Sequence, residues 1–242
     1  SRADRVILAG DHCQLPPTIK CIEAARGGLG RTLLEKVVLH KPETVSLLKI
    51  QYRMHEDIMR FPSRWFYHDE LEAAPEVKYR GILDFDTPVS WIDTSELDLQ
   101  EKAVAEGTGR LNTGEAELLV RELKNYMERI GIRRILEEHI DFGVISPYRA
   151  QVHYLRHLLK KEPFFRPCRR LITVHTVDGF QGQERDVIMI SLVRANEKGQ
   201  IGFLRDLRRM NVAITRARMK LLILGEAVTL TRHPFYRELY EY

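Results

Sequence analysis

Leu171-Ile172-Thr173-Val174, His175-Thr176-Val177-Asp178-Gly179-Phe180-Gln181-Gly182-Gln183-Glu184 and Asp186-Val187-Ile188-Met189-Ile190-Ser191-Leu192-Val193 read as an apolar strand, a dense polar loop and a second apolar strand. Similar β-type runs recur at Val6 to Ala9, Val45 to Ile50, Val89 to Ile92, Asp141 to Ile145 and Lys220 to Leu224, with helical stretches between them. That alternation argues for an α/β layered fold with a mainly parallel sheet. Helical periodicity is clearest over Glu115 to Ile130, where Leu118, Leu119, Leu123, Tyr126, Met127 and Ile130 mark one face, and over Ala150 to Lys161. Asn112-Thr113-Gly114-Glu115 supplies capping residues for the first.

Between Leu71 and Gly114 the pattern is broken by Pro75, Pro88, Gly107, Gly109 and an acidic run around Asp93 to Glu101. A boundary placed near its start makes 1–71 the tail of one α/β domain and 72–242 a second, complete one. With 242 residues, 44% apolar against 30% charged, the chain has the balance of a globular protein with a real core. Lys and Arg number 38 against 34 Asp and Glu, a net +4, so composition alone does not demand a nucleic-acid partner and the placement of charge has to carry that argument. Cys13, Cys21 and Cys168 form no C-x-x-C pair and no disulfide framework, which points to a reduced, intracellular compartment, cytoplasmic or nuclear. No apolar stretch approaches the ~20 residues of a membrane helix. The chain opens almost directly on the run Val6 to Ala9, which suggests a piece of a longer polypeptide.

Four polar strings sit at the ends of these runs. In Gly10-Asp11-His12-Cys13-Gln14-Leu15-Pro16-Pro17 an apolar strand ends in a glycine turn. Ligands in open α/β sheets bind beyond the carboxyl ends of strands, where Gln14 could orient a water or sense a terminal phosphate; equally, Asp11 and Gln14 could satisfy only the turn's own backbone. Gln51-Tyr52-Arg53-Met54-His55 follows another apolar run: Tyr52 can stack on a purine and Arg53 offers a planar fork for phosphate, or the pair is a surface contact. In the loop from His175 to Glu184, Gly179 and Gly182 allow close backbone approach, Thr176 can hold an anionic oxygen, and Glu184 can accept from a ribose hydroxyl. Arg208 to Arg218 reads as a helix running into the strand from Lys220; Arg209 and Arg216, seven apart, would share one helix and reach one phosphate-rich cleft, unless the run is a solvated basic face. Ser146-Pro147-Tyr148 follows the strand Asp141 to Ile145 and opens a helix, so Ser146 and the first amides could grip a phosphate or merely cap. The histidines show no metal-ligand spacing, and no metal site is expected.

In this order, the strings beginning at Gly10, Gln51, Val177 and Asn211 (Asn211-Val212-Ala213-Ile214-Thr215-Arg216-Ala217-Arg218) resemble motifs III to VI of superfamily 1 helicases. The wording is similar to the branch of the nonsense-mediated-decay and immunoglobulin-mu-binding helicases. The resemblance implies two RecA-like domains with ATP and Mg²⁺ bound between them, and 5' to 3' movement on single-stranded DNA or RNA. It places Gln14 at the terminal phosphate or its water, Asp11 in coupling that site to the strand, and Arg53 and Arg216 facing the γ-phosphate. Tyr52 would stack on the base, Glu184 would take the ribose beside Gly182, and Arg218 would be auxiliary. Ser146, Pro147, Tyr148, His175 and Thr176 would line the nucleic acid.

The phosphate loop G-x-x-x-x-G-K-[ST] occurs nowhere, and Asp69-Glu70 lacks the apolar strand of a Walker B site. The expectation is therefore an arginine-bearing half-motor that works as a monomer with the upstream half of the same polypeptide, which would carry the Mg²⁺ ligands. By itself it should not hydrolyse ATP. The alternative is a non-catalytic nucleic-acid-binding or scaffold module of the same fold, with no membrane partner in either case.

Overall fold

The computed structural model describes residues 4–16, 19, 21, 23, 25–104 and 109–242; Pro17 of the first polar turn and Gly107 lie outside them. Five of the seven apolar runs become strands of one sheet: β1 (Val89–Asp93), β2 (Phe142–Ser146), β3 (Ile172–Thr176), β4 (Arg185–Ser191) and β5 (Ala217–Gly225). The order is β1-β5-β4-β2-β3 and every pairing is parallel. With helices on both faces, this is the RecA-like α/β sheet that the alternation and the resemblance led us to expect.

Each central strand is apolar through its middle, Phe142 to Ile145 apart from Gly143, Val187 to Ile190 and Leu221 to Leu224, because both its faces are covered there. In β4, Val187 and Met189 join the core under α3 (Thr113–Ile130) and α5 (Arg149–Lys161), while Ile188 and Ile190 join the opposite core under α2 (Glu56–Phe66), α6 (Leu207–Ile214) and α7 (Pro234–Glu241). The expected face of α3 is the one buried, Asn112 caps it, and α4 (Ile132–Glu137) follows through Gly131. A further helix, α1 (Leu33–His40), begins with a capping box from Thr32 to Glu35 and buries no residue.

Two of the expected strands are absent. Val6 to Ala9 has no ladder, and Ile7 is 95% exposed. Of Val45 to Ile50, only Ile50 enters a two-residue strand, Ile50–Gln51, paired parallel with Glu72–Ala73, and Leu48 is 86% exposed. An extended apolar run becomes a strand only when a neighbour takes its N–H and C=O groups, and among the described residues only the end of the second run, Lys49 to Gln51, has one. The division expected near residue 71 also meets a continuous core: Ile58, Met59 and Phe61 of α2 pack with Phe235, Tyr236 and Leu239 of α7. Trp65 and Phe66 stack edge-on or tilted against Phe235.

Because the sheet is parallel, one edge collects all strand amino ends and the other all carboxyl ends, about 16 Å apart for a five-residue strand. The link from β3 to β4 must return from one edge to the other while passing over β2, and it does so in the eight residues Val177 to Glu184. Phe180, wholly buried, anchors that crossing on the sheet beside Ile145 and Ile188. Gly143 of β2 makes room, since a Cβ there would lie 2.6 Å from Phe180 Cζ and 2.5 Å from Ile188 Cδ1. No described helix is long and apolar enough to cross a membrane.

Candidate active site

The amino-end edge gathers the residues singled out for nucleotide chemistry. Glu184 and Arg216 immediately precede β4 and β5, while Arg53 arrives from the turn ahead of α2. Arg53 Nε donates to Glu184 Oε2 and Nη1 to the Thr215 carbonyl at 3.0 Å. Arg218 donates through Nε to Glu184 Oε1 at 3.0 Å and through Nη1 to Asp186 Oδ1 at 3.1 Å. Burial would push the Glu184 carboxyl up, but the hydrogen bonds and charges of Arg53 and Arg218 outweigh it and hold the group below its ordinary value. Burial also opposes charge on Arg218, and there Asp186 and Glu184 prevail and raise its pKa.

Arg216 is different. It is 4% exposed, and its guanidinium donates only to neutral oxygens: Val212 O at 3.2 Å, Gln183 O at 3.1 Å and Gln14 Oε1 at 2.9 Å. Among the described residues no carboxylate lies within 4.0 Å of it. Burial, and then the charge of Arg53, lower its pKa. Gln14 is held in turn, its Nε2 donating to Asp11 Oδ2 at 2.9 Å, an oxygen that also accepts from Tyr67 at 2.6 Å. Tyr52 is 65% exposed at the rim, and Gly182 stands exposed at φ 81°.

Three expectations change on inspection. Arg209 and Arg216 do not share a helix: α6 stops at Ile214, Arg216 occupies the turn into β5, and Arg209 pairs with Asp206 at 2.8 Å and reaches Asp178 at 3.9 Å. The helix breaks because Thr215 Oγ1 turns back to the Asn211 carbonyl and Ala217 already enters the ladder with Arg185. Asp11 and Gln14 do not hang from the end of a strand, since Val6 to Ala9 forms none. Tyr67 and Asn211 were not anticipated, yet Asn211 Nδ2 donates to Tyr67 Oη at 2.7 Å and to the Cys13 carbonyl at 3.0 Å, fastening the Asp11 segment to α6. Only their apolar settings were legible, in the helix that carries Trp65 and in the string from Asn211.

Asp11, His12 and Cys13 also bring one ligand atom each to within 4.8 Å of one another. They are a poor metal site: both Asp11 oxygens accept hydrogen bonds, and burial, followed by the Asp11 charge, pushes the Cys13 thiol up to about 11, where it keeps its proton.

The residues assigned to nucleic acid sit at the opposite edge. Thr176 ends β3, its hydroxyl accepting from Gly179 N at 3.3 Å, and the half-buried His175 lies against Gly179. Ser146 and Tyr148 are buried, leaving half-buried Pro147 as the accessible member of that turn. Beneath this edge lies a polar network that the capping reading of Asn112 to Glu115 understated. Gln151 exchanges hydrogen bonds with the Asn112 backbone at 2.9 Å and donates to Ser191 Oγ at 3.0 Å, and Ser191 donates to Glu115 Oε1 at 2.5 Å. The strand order reverses between β2 and β4, so this network underlies the crevice where open α/β sheets bind ligands.

A family model described as an AAA domain matches residues 29–228. The chain is 37% identical to an uncharacterized ATP-dependent helicase of Methanocaldococcus jannaschii over 97% of its own length and 34% of that protein's. It is 36% identical to the DNA-binding protein SMUBP-2 of Rattus norvegicus, covering all of this chain and 24% of that one, and 36% identical to the Regulator of nonsense transcripts 1 homolog of Drosophila melanogaster, covering 98% and 20%. The chain belongs to this AAA domain family, in the superfamily 1 helicase branch that SMUBP-2 and the regulator of nonsense transcripts 1 share. It spans about a third or less of the length of these relatives.

Proposed function

We propose that this chain is the C-terminal motor segment of an ATP-dependent helicase or translocase that moves, 5' to 3', on single-stranded DNA or RNA, and that it supplies the arginine fingers. One observation carries the reading: among the described residues Arg216 is buried with no carboxylate within 4.0 Å, beside Arg53 and in contact with Gln14, 202 residues away. A desolvated cation with only neutral acceptors is poised for an anion, and a terminal phosphate fits. Arg53 and Arg216 would meet its charge, Gln14 would orient the attacking water, exposed Tyr52 would face the base, and Glu184 the ribose. ATP, when bound, supplies the phosphoryl bond whose hydrolysis drives motion.

Arg216 needs no reorganisation, because Val212, Gln183 and Gln14 already hold it in place. The crossing from Thr176 to Glu184 joins the strand-facing edge to this site, so a shift in either is felt at the other. The exposed apolar runs Val6 to Ala9 and Val45 to Ile50 support a sheet completed by the other half of the motor, which would hold the phosphate loop and the Mg²⁺ ligands. We place the divide between halves ahead of Ile50, since α2 belongs to the core described above.

In the intact protein, Arg216→Ala should lower strand-stimulated ATPase by about 10³- to 10⁵-fold while strand affinity stays within about twofold. Equal losses of both would refute the division of labour, and robust turnover by the present chain alone would refute the half-motor.

A further inference from the structure

Charge in this chain is concentrated in one place that the motor reading leaves unused. Between Arg149 and Arg170 there are seven Lys and Arg and one acid, Glu162, a local excess of six where the whole chain nets +4. Glu162 pairs outside the stretch, with Lys124. None of the seven cations has a carboxylate within 4.0 Å among the described residues, although most arginines elsewhere are paired. A cluster of like charge on a folded surface draws in and concentrates an oppositely charged partner.

Three of these cations rim a groove of about 510 Å³ along β3, the edge strand of the sheet. Leu159, Phe165 and Ile172 form its floor, and Arg156, Lys160 and Arg169, all exposed, stand around it. Its far end is His175, next to Thr176, so the groove runs on from the edge assigned to nucleic acid. A peptide adding as a sixth strand would need the free carbonyls of β3, and Arg156 already occupies that of Val174 through Nε at 3.1 Å and Nη2 at 2.6 Å. A chain of phosphates needs no such carbonyl.

We propose that this basic groove along β3 is a second nucleic-acid site, which takes the sugar-phosphate backbone of the strand after it leaves the carboxyl edge of the sheet. The inference rests on the strand-binding reading above and extends it. Its apolar floor lets bases lie against Leu159 and Ile172, while the rim provides sequence-independent phosphate contacts.

The test is the double variant Lys160→Gln, Arg169→Gln, with binding measured against salt for oligothymidines of about 8 and about 30 nucleotides. Both side chains are exposed on the groove rim, and an unchanged thermal midpoint verifies the fold. Two lost phosphate contacts should flatten the log-affinity against log-salt slope for the long strand by about 1.4, roughly a 25-fold loss at 0.1 M relative to 1 M salt. The short strand, held at the carboxyl edge, should bind as before. If both lengths lose equally, or neither does, the groove is not an extension of the track. If nucleic acid is unaffected while polyglutamate binding is lost, an acidic protein is the partner and the proposal fails. Failure of the parent chain to bind either length would instead strike the strand-binding reading itself.

Discussion

Replacing Glu115 by Gln should make the protein more stable at alkaline pH and leave it unchanged at acid pH. Glu115 is wholly buried at the start of α3; Oε1 accepts from Ser191 and from Val193 N at 2.9 Å, whereas Oε2 has no partner. Burial pushes the carboxyl up from 4.5 to about 7, against the lowering pull of the Ser191 and Val193 hydrogen bonds. Below pH 4.5 the group is neutral in both the folded and the unfolded chain and contributes nothing to the balance. Between 4.5 and 7 the unfolded chain releases a proton that the folded one keeps, so stability falls as pH rises; above 7 the full cost is present. At about 1.4 kcal/mol per tenfold, that cost is about 3 kcal/mol. Gln resembles the protonated acid, retaining an acceptor for Ser191 and Val193 but never ionising. Urea unfolding of parent and Glu115→Gln at pH 4, 5, 6, 7 and 8 should give midpoints that nearly coincide at pH 4 and have begun to part, by about 0.4 M, at pH 5. By pH 8 the variant should lead by about 1.5 M, for a slope of about 2 kcal/mol per M. Other titrating groups cancel in the difference. A gap that stays constant from pH 5 to 8 would show that the carboxyl ionises as freely inside the protein as outside it.

Other outcomes follow from the packing around the crossing and the thiols. Gly143→Ala forces a methyl against Phe180 and Ile188 and should cost about 1 to 3 kcal/mol, read as a lowered urea midpoint; an unchanged midpoint would mean that the crossing loop yields freely. At pH 8 a thiol reagent should modify exposed Cys21 well before Cys13, whose thiol is pushed up to about 11, or Cys168, which is buried; mass spectrometry of the first labelled peptide decides.

What could be read from the sequence alone was whatever depends on short-range pattern. Runs such as Val187 to Ile190 are apolar at each position because both faces of a central strand are buried, so five strands and the buried face of α3 were visible without coordinates. The order of the four polar strings brought Gln14, Arg53, Glu184 and Arg216 together on paper, and the structure sets them at one edge of the sheet, with Glu184 on Arg53 and Gln14 on Arg216. Pattern failed wherever the outcome depended on a partner distant in sequence. Val6 to Ala9 has the composition of a strand but no ladder to join, and Arg209 parts from Arg216 because Ala217 is claimed by its pairing with Arg185. Only tertiary structure could show that Glu115 is stripped of water and that, among the described residues, Arg216 has neutral acceptors alone and seven cations between Arg149 and Arg170 have no carboxylate within 4.0 Å. Each of those properties belongs to the space around a side chain, and that space is built by residues tens to hundreds of positions away.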